Sequence, residues 1–324
     1  MKTPVELMAL LEAELGLVRQ ERFRKGELYQ PMDYILALGG KRIRPLLFVL
    51  AYQSVSGKSP EKALRASLSV ELFHNFSLLH DDIMDNAPLR RGQPTVHEKW
   101  DTNTAILAGD AMFALAFEFL IADHAVQAAK LVNMFTRVSV GVCEGQMEDM
   151  LLAQQPSASI DAYIEMIRKK TAVLLGGSLA LGAIAAGADA EVVDAFYAYG
   201  ETAGIGFQLH DDYLDVFAGT AKTGKQVAGD ILENKKTYLL LRAYEKANEL
   251  QRSELDFWLT GSHENQHKIQ GVMKLYEDLG IPADTQAQID RYFKLAETAA
   301  RPLERLDGFT HVKSFVETVR QRDH

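Results

Sequence analysis

The chain predicts an all-α protein, and three observations carry that expectation. Apolar residues recur at three- and four-residue spacing along most of its 324 residues, the period of an amphipathic helix. Glycine and proline gather in short clusters between those stretches, where they act as breaks. No run of alternating β-branched residues is strong enough for a sheet, and there is no heptad array and no low-complexity segment. A chain of this length can bury a large core. One domain over residues 1–324 is expected, because two acidic clusters far apart in the chain make sense only together.

Composition narrows the function classes. The hydrophobic share is 47% and the charged share 24%, ordinary for a globular protein. The net charge of -9 and pI near 5.5 argue against a nucleic-acid surface. A lone Cys143 excludes an intrachain disulfide framework, fits a reducing compartment and reads as helix packing. The first residues, Met1–Glu6, lack an apolar leader pattern. The longest apolar, small-residue stretch, Ala172–Ala188, falls short of the roughly 18 residues of a spanning helix. No transmembrane segment and a cytoplasmic location are therefore expected.

Taken in order, residues 4–24 carry Leu7, Leu10, Leu11, Leu15 and Val18 on one helical stripe. A short helix near Met32–Leu38 ends at Gly39-Gly40, a pair that permits a tight bend. Lys41-Arg42-Ile43-Arg44-Pro45 follows, with Pro45 suited to the first turn of a helix to about Val55. Basic residues at a helix start can hold an anion, helped by free backbone N–H groups. From Pro60 a helix runs into Leu79-His80-Asp81-Asp82-Ile83-Met84-Asp85. His74 and Ser77 share the stripe that leads to Asp81 and Asp85. Asn86–Thr95, with Pro88, Gly92 and Pro94, reads as a loop carrying Arg90-Arg91.

Helices are expected over 102–120, 125–152, 161–188 and 190–217. On the third, Lys169-Lys170-Thr171 interrupts an apolar surface, so these lysines snorkel or enter a polar cavity. On the fourth, Gly204, Gln208, Asp211 or Asp212, and Asp215 form a stripe. The polar loop Gly219–Asp230 approaches a phosphate-loop pattern but has Gln226 in place of the hydroxyl residue and a helix before it, which excludes that motif. Further helices are expected from Lys235-Lys236-Thr237 to Ala247, and over 249–259, 266–279, 285–299 and 311–320. Asp110 reads as a cap or a local pair, and Glu148-Asp149 as a solvated helix edge, with support for basic residues as the alternative. The terminal Arg320–His324 carries little signal.

The two acidic clusters carry the chemistry. Asp81, Asp82 and Asp85 crowd one helix edge at three- and four-residue spacing. Asp211, Asp212 and Asp215 repeat the pattern about 130 residues later. Like charges so placed repel unless cations lie among them. Oxygen-only donors suit Mg²⁺ shared with substrate phosphates, and the absence of cysteine and clustered histidine disfavours zinc. Lys41, Arg44, Arg90, Arg91, Lys170, Lys225 and Lys235 or Lys236 could surround the acids. Cations of both kinds imply diphosphate substrates, and an apolar helical interior implies a hydrocarbon remainder. A metal-bound diphosphate leaves an allylic carbon readily, and a water-excluding cavity protects the carbocation until a second substrate's double bond attacks. No side-chain nucleophile is needed.

These residues resemble the trans-prenyltransferases that make linear isoprenyl diphosphates, the farnesyl and geranylgeranyl diphosphate synthases. The likeness covers most of the chain and is strongest from Gly39 to Thr237. It implies an isoprenoid-synthase-type bundle of long helices around a central deep cavity, normally a homodimer. It makes Lys41, Arg44, His74 and Arg91 the isopentenyl diphosphate site. Arg90, Lys170, Thr171, Gln208, Lys225 and Lys235 become contacts to the allylic diphosphate, with Lys170 and Lys225 also catalytic. Asp81, Asp82, Asp85, Asp211, Asp212 and Asp215 become ligands of three Mg²⁺ ions, with Mn²⁺ as a substitute ion. One position departs: a glycine usually lies three residues after the lysine matching Lys225, and here Ala228 stands there with Gly229 following. The loop is therefore expected to bend one residue late.

In the same family, bulk just before the first acidic motif sets product length. Phe76 lies five residues before Asp81 and the small Ser77 four before. The pair implies a C20 product, with C15 as the alternative and longer products blocked by Phe76. Terpene cyclases share the architecture but replace the second Asp cluster and need no isopentenyl site. A head-to-head synthase is disfavoured by the same basic residues. His80-Asp81 lacks the further histidines of an HD-type phosphohydrolase, and a non-enzymatic helical module leaves both acid clusters to chance.

Overall fold

The computed structural model describes residues 1–23, 26–217 and 228–321. Sixteen α-helices and one two-stranded ribbon make up these residues. Thr3 starts the first: its hydroxyl accepts from the Glu6 N–H while the Glu6 carboxylate accepts from the Thr3 N–H, a reciprocal cap. Helix α1 (Pro4–Val18) buries Leu7, Leu11, Leu15 and Val18 as the periodicity predicts and continues into a π turn at Arg19–Phe23. Helix α2 (Tyr29–Ala37) ends before Gly39 and Gly40, whose φ values of 80° and 155° require glycine. Helix α3 (Ile43–Ser56) has Pro45 in its first turn, and α4 (Glu61–Met84) runs to the first acidic cluster, with Asp85 as its C-terminal cap.

The segment expected as a plain loop contains a minimal hairpin. Strand β1 (Leu89–Arg90) pairs antiparallel with β2 (Gln93–Pro94). Arg91 and Gly92, both at positive φ, form its turn, which matches strand twist. Helix α5 (Val96–Lys99) follows; four residues are too few for a periodic signal. Asp101 accepts from the Thr104 N–H at 2.8 Å and starts α6 (Thr102–Ile121). After α7 (Ala128–Gln154), the long helix expected over 161–188 is divided. It consists of α8 (Ile160–Ile167), a π turn at Arg168–Ala172, and α9 (Val173–Ala186).

Helix α10 (Ala190–Phe217) carries the second acidic cluster. The remainder is α11 (Gly229–Leu232), α12 (Tyr238–Lys246), α13 (Glu249–Thr260), α14 (Asn265–Asp278), α15 (Ile281–Ala299) and α16 (Phe309–Arg320). Helix α15 starts four residues earlier than expected, with Pro282 tolerated in its first turn.

The chain divides into two compact units. The first comprises Met1–Val140, Leu174–Gly200 and Ala299–Val316, and Phe23, Phe48, Phe73, Phe135 and Phe196 are fully buried in it. The second comprises Gly141–Val173, Glu201–Thr298 and Glu317–His324. Its apolar core gathers Val216, Ile231, Leu239, Leu255, Val272 and Tyr276. Cys143, expected in a packed position, is exposed. Two helical stretches, Thr102–Ile121 and Ile160–Ala186, are long and apolar enough to cross a membrane by length and composition. The second passes because it starts before the apolar run read from sequence; 78% of its window is buried inside the protein, as in a core helix.

Candidate active site

In the first unit, the site grows from the Gly39-Gly40 turn. A side chain on Gly40 would lie 3.2 Å from one guanidinium nitrogen of Arg91 and 3.3 Å from one of Arg42. The glycine therefore leaves room for two guanidinium groups against one stretch of backbone. Arg91 also donates to the Gly39 carbonyl, tying the β1–β2 turn to this bend. Arg42 takes a left-handed φ of 44° and turns inward. Its guanidinium donates to Glu71 at 2.6 Å, to Glu12 at 3.1 Å and to the Leu36 carbonyl at 2.9 Å. That leaves Lys41, exposed, and Arg44, half-buried, on either side of an anchored residue.

His74 on α4 belongs to the same group. Burial first, then the positive charges of Arg44, Arg90, Arg91 and Arg42, hold its imidazole well below the usual histidine range. It is therefore neutral at pH 7. Burial and the neighbouring Arg90 and Arg42 also lower Arg91. Crowded guanidinium groups beside a neutral imidazole are suited to a polyanion, whose charge relieves their repulsion.

The end of α4 places Asp82 in a buried position and Asp85 in an exposed one, with Asp81 between them in exposure. Arg90 grips Asp82 with both prongs, Nε to Oδ2 at 2.8 Å and Nη2 to Oδ1 at 2.6 Å. One turn back, Phe76 packs against His80, with ring centroids 4.7 Å apart. The Ser77 hydroxyl donates to the His74 carbonyl at 2.8 Å. Asp110 lies 3.8 Å from His80, a contact between α6 and α4 rather than the cap or local pair expected of it.

In the second unit, the π turn organises the site. Its extra residue rotates Lys169, Lys170 and Thr171 off the regular helical register, a distortion often found where function needs it. Gly145 of α7 is the seat: a side chain there would come within 2.2 Å of the Lys170 backbone nitrogen. Lys169 pairs with Glu148 at 2.5 Å and Lys170 with Asp149 at 2.6 Å. Glu148-Asp149 is thus no merely solvated edge but the support of these lysines. Thr171 donates to Gln208 at 3.1 Å, and Gln208 donates to Asp212 at 3.0 Å.

Asp212 is buried and also accepts from the Tyr163 hydroxyl. Burial, then repulsion from Asp230, pushes its carboxyl up to about 7 against those hydrogen bonds. The Asp230 N–H donates to Asp215 at 2.9 Å, and burial raises the Asp230 carboxyl too. Lys235 approaches Asp230 at 3.6 Å. Burial opposes its charge, yet Asp230, Asp212 and Asp149 together raise its ammonium above the ordinary lysine range.

Lys236 has a different task. It donates to the carbonyls of Leu152 at 2.7 Å, Ala153 at 3.1 Å and Gln155, capping the end of α7. Lys225 lies outside the described residues. Ala228 resolves the expected irregularity of the loop: it takes a left-handed φ of 54°, the conformation a glycine would favour. The bend is therefore at 228 itself, while Gly229 already belongs to α11.

Among the described residues, no three His, Cys, Asp or Glu side chains converge as a preformed metal cage. Mg²⁺ does not need one, since it commonly binds through one or two carboxylates, waters and substrate phosphates. The donors fit that ion: all are carboxylate oxygens, and buried Asp212 is an acid whose ionised form needs a cation. Sequence reading missed Tyr163, Asp230 and the anchoring role of Arg42, and it set the supporting role of Asp149 second. Asp230, an acid just beyond the glycine-rich loop, left a trace; Tyr163 and Arg42 act through partners distant in the chain.

A helical fold with two Asp-Asp-x-x-Asp helices, an arginine-crowded glycine turn and a lysine-bearing π turn defines an isoprenoid-synthase type of prenyltransferase. Residues 25–277 match the polyprenyl synthetase family model. The chain is 36% identical over 299 residues to a geranylgeranyl pyrophosphate synthase of Geoglobus acetivorans, covering 92% of this chain and 91% of that one. It is 34% identical to a geranylfarnesyl diphosphate synthase of Natronomonas pharaonis, covering 78% and 77%. A solved geranylgeranyl pyrophosphate synthase structure superposes with a TM-score of 0.92 at 38% identity, covering 99% of each chain. The chain belongs to the polyprenyl synthetase family of trans-prenyltransferases and is like its short-chain isoprenyl diphosphate synthases. It is an enzyme with the all-α bundle fold of isoprenoid synthases, and its reaction is Mg²⁺-dependent chain elongation.

Proposed function

We propose that the enzyme joins isopentenyl diphosphate head to tail (1'-4) with the allylic dimethylallyl, geranyl and farnesyl diphosphates, giving all-trans geranylgeranyl diphosphate and releasing diphosphate. The arginine crowd at Gly40 carries this reading. A cyclase holds a single diphosphate, whereas Arg91, Arg44, Lys41 and neutral His74 are suited to a second. In this reading Arg90, Lys170, Thr171, Gln208, Lys225 and Lys235 hold the allylic diphosphate, and the two units form one catalytic domain over residues 1–324. Asp81, Asp82, Asp85, Asp211, Asp212 and Asp215 hold three Mg²⁺ ions. Bound there, Mg²⁺ would neutralise the charge that develops on the departing diphosphate.

The residues themselves do the rest. Lysines and arginines keep both diphosphates in place, and apolar helices keep water from the allylic cation. Phe76, five residues before Asp81 on α4, with only a serine at position 77, supports a C20 limit over C15. The likeness to the family supports a homodimer, and a chain whose single cysteine allows no intrachain disulfide fits the reducing cytoplasm.

The test is elongation itself. The protein is incubated with isopentenyl diphosphate and labelled C5, C10 or C15 allylic diphosphate, with and without Mg²⁺, and the products are sized. Mg²⁺-dependent elongation ending at C20 is expected, and no elongation under any condition overturns the assignment. Asp81→Ala is expected to abolish turnover; near-normal turnover rejects its place at the metal.

A further inference from the structure

Lys268 stands where an apolar residue is expected. On α14 it lies four residues before Val272 and seven before Leu275, on the stripe that this helix buries in the core of the second unit. The residue is only 8% exposed, although lysine is rarely buried unless paired. Its ammonium donates to the Asn234 side-chain oxygen at 2.6 Å and to the Leu232 carbonyl at 3.2 Å, neither of them a carboxylate. An apolar side chain would fill the position at lower cost, so the charge calls for a reason beyond packing.

That reason lies at the end of α11. The helix closes on Asn234, whose φ of 55° is left-handed. The Asn234 N–H donates to the Ile231 carbonyl at 3.2 Å and the Lys235 N–H to the Asp230 carbonyl at 2.9 Å, the paired bonds of a Schellman cap. Glycine is the usual residue at that point, and asparagine the one that tolerates it while keeping a side chain. Here the side chain is used twice. Its Nδ2 donates to the Leu259 carbonyl of α13 at 3.0 Å, and its Oδ1 accepts from Lys268 of α14. Two residues on, Lys236 is tied to the carbonyls at the end of α7. Lys235 thus stands between two tethered residues, with its own side chain 47% exposed.

We propose that Lys268 and Asn234 are positioning residues for the allylic diphosphate, fixing through the α11 cap the backbone from which Lys235 reaches that group. This rests on the reading of Lys235 as an allylic contact. Neither Lys268 nor Asn234 need touch the substrate. A lysine whose backbone is held on both sides loses less freedom when it binds, and the contact gains by that preorganisation. Releasing one tether weakens the allylic side alone, because the isopentenyl contacts belong to the first unit.

The test uses Asn234→Gly, which keeps the left-handed cap and removes the side-chain links, and Lys268→Met, which keeps the stem and removes the charge. Both are compared with the wild type, Lys235→Ala and Lys235→Ala/Asn234→Gly in Mg²⁺-dependent elongation, varying geranyl and isopentenyl diphosphate in turn. Thermal melting checks folding; should Lys268→Met not fold, Asn234→Gly decides alone. The allylic KM is expected to rise about fivefold to tenfold in each, within the loss of one hydrogen bond to a charged group, while the isopentenyl KM stays near its original value. Adding Asn234→Gly to Lys235→Ala is expected to raise the allylic KM no further. Two rises that multiply, or equal rises for both substrates, overturn the proposal. A raised allylic KM in Lys235→Ala beside an unchanged one in Asn234→Gly rejects the anchor and leaves the contact standing. An unchanged allylic KM in Lys235→Ala rejects the contact and the anchor with it.

Discussion

Replacing Arg42 with methionine separates anchoring from substrate contact. Arg42 and Glu71 form an ion pair at 2.6 Å whose side chains are only 5% and 6% exposed. The third partner, Glu12, is half-exposed and adds little. Arg42→Met leaves Glu71 buried, with the Asn75 side chain at 3.2 Å as its remaining donor. Breaking one side of such a pair costs about 3–5 kcal/mol. Methionine inherits the left-handed backbone, whose strain of about 1–2 kcal/mol the arginine contacts now offset. Arg42→Met/Glu71→Met leaves no buried charge and is expected to recover most of the loss, because replacing a buried pair by apolar groups is often neutral. Denaturant titration of the wild type, Arg42→Met, Glu71→Met and the double variant closes the cycle. Since Arg42 holds Lys41 and Arg44 in place, the single variant is also expected to raise the KM for isopentenyl diphosphate about tenfold, about 1.4 kcal/mol, and to leave that for the allylic substrate near its original value. A single-variant loss below about 1 kcal/mol, or a double variant no more stable than the single, refutes the anchoring argument. Equal KM changes for both substrates refute the positioning role.

Two further perturbations follow from the same geometry. Gly145→Ala sets a methyl group against the Lys170 backbone, where no flexible side chain can yield; a loss of about 1–3 kcal/mol and a sharp fall in turnover are expected, and wild-type activity counts against the π-turn seat. His74 stays neutral in the fold while the unfolded chain takes up a proton near 6.5, so its contribution to stability is complete above that pH and is lost as pH falls below it. The loss is at most about 1.4 kcal/mol per pH unit, and melting at pH 7.5 and 5.5 is expected to show a smaller acid loss for His74→Gln than for the wild type; an equal loss removes His74 from the account.

The local pattern of residues determined the helical class, the helix ends at Gly39-Gly40 and Asp85, and the two carboxylate clusters, because periodicity, capping and charge spacing are properties of neighbours in the chain. The same information misplaced Cys143 in a packed position and read Glu148-Asp149 as an idle edge. It also ran one helix through the π turn, because Gly145, which accommodates the distortion, stands 25 residues before Lys170. Arg42 and Arg44 are alike as basic residues in a helix start. Only the buried Glu71, from a different helix, turns the first into an anchor. Which groups are charged is written in single residues; which of those charges face a partner, and which are left for a ligand, is decided by packing between segments that the chain holds far apart.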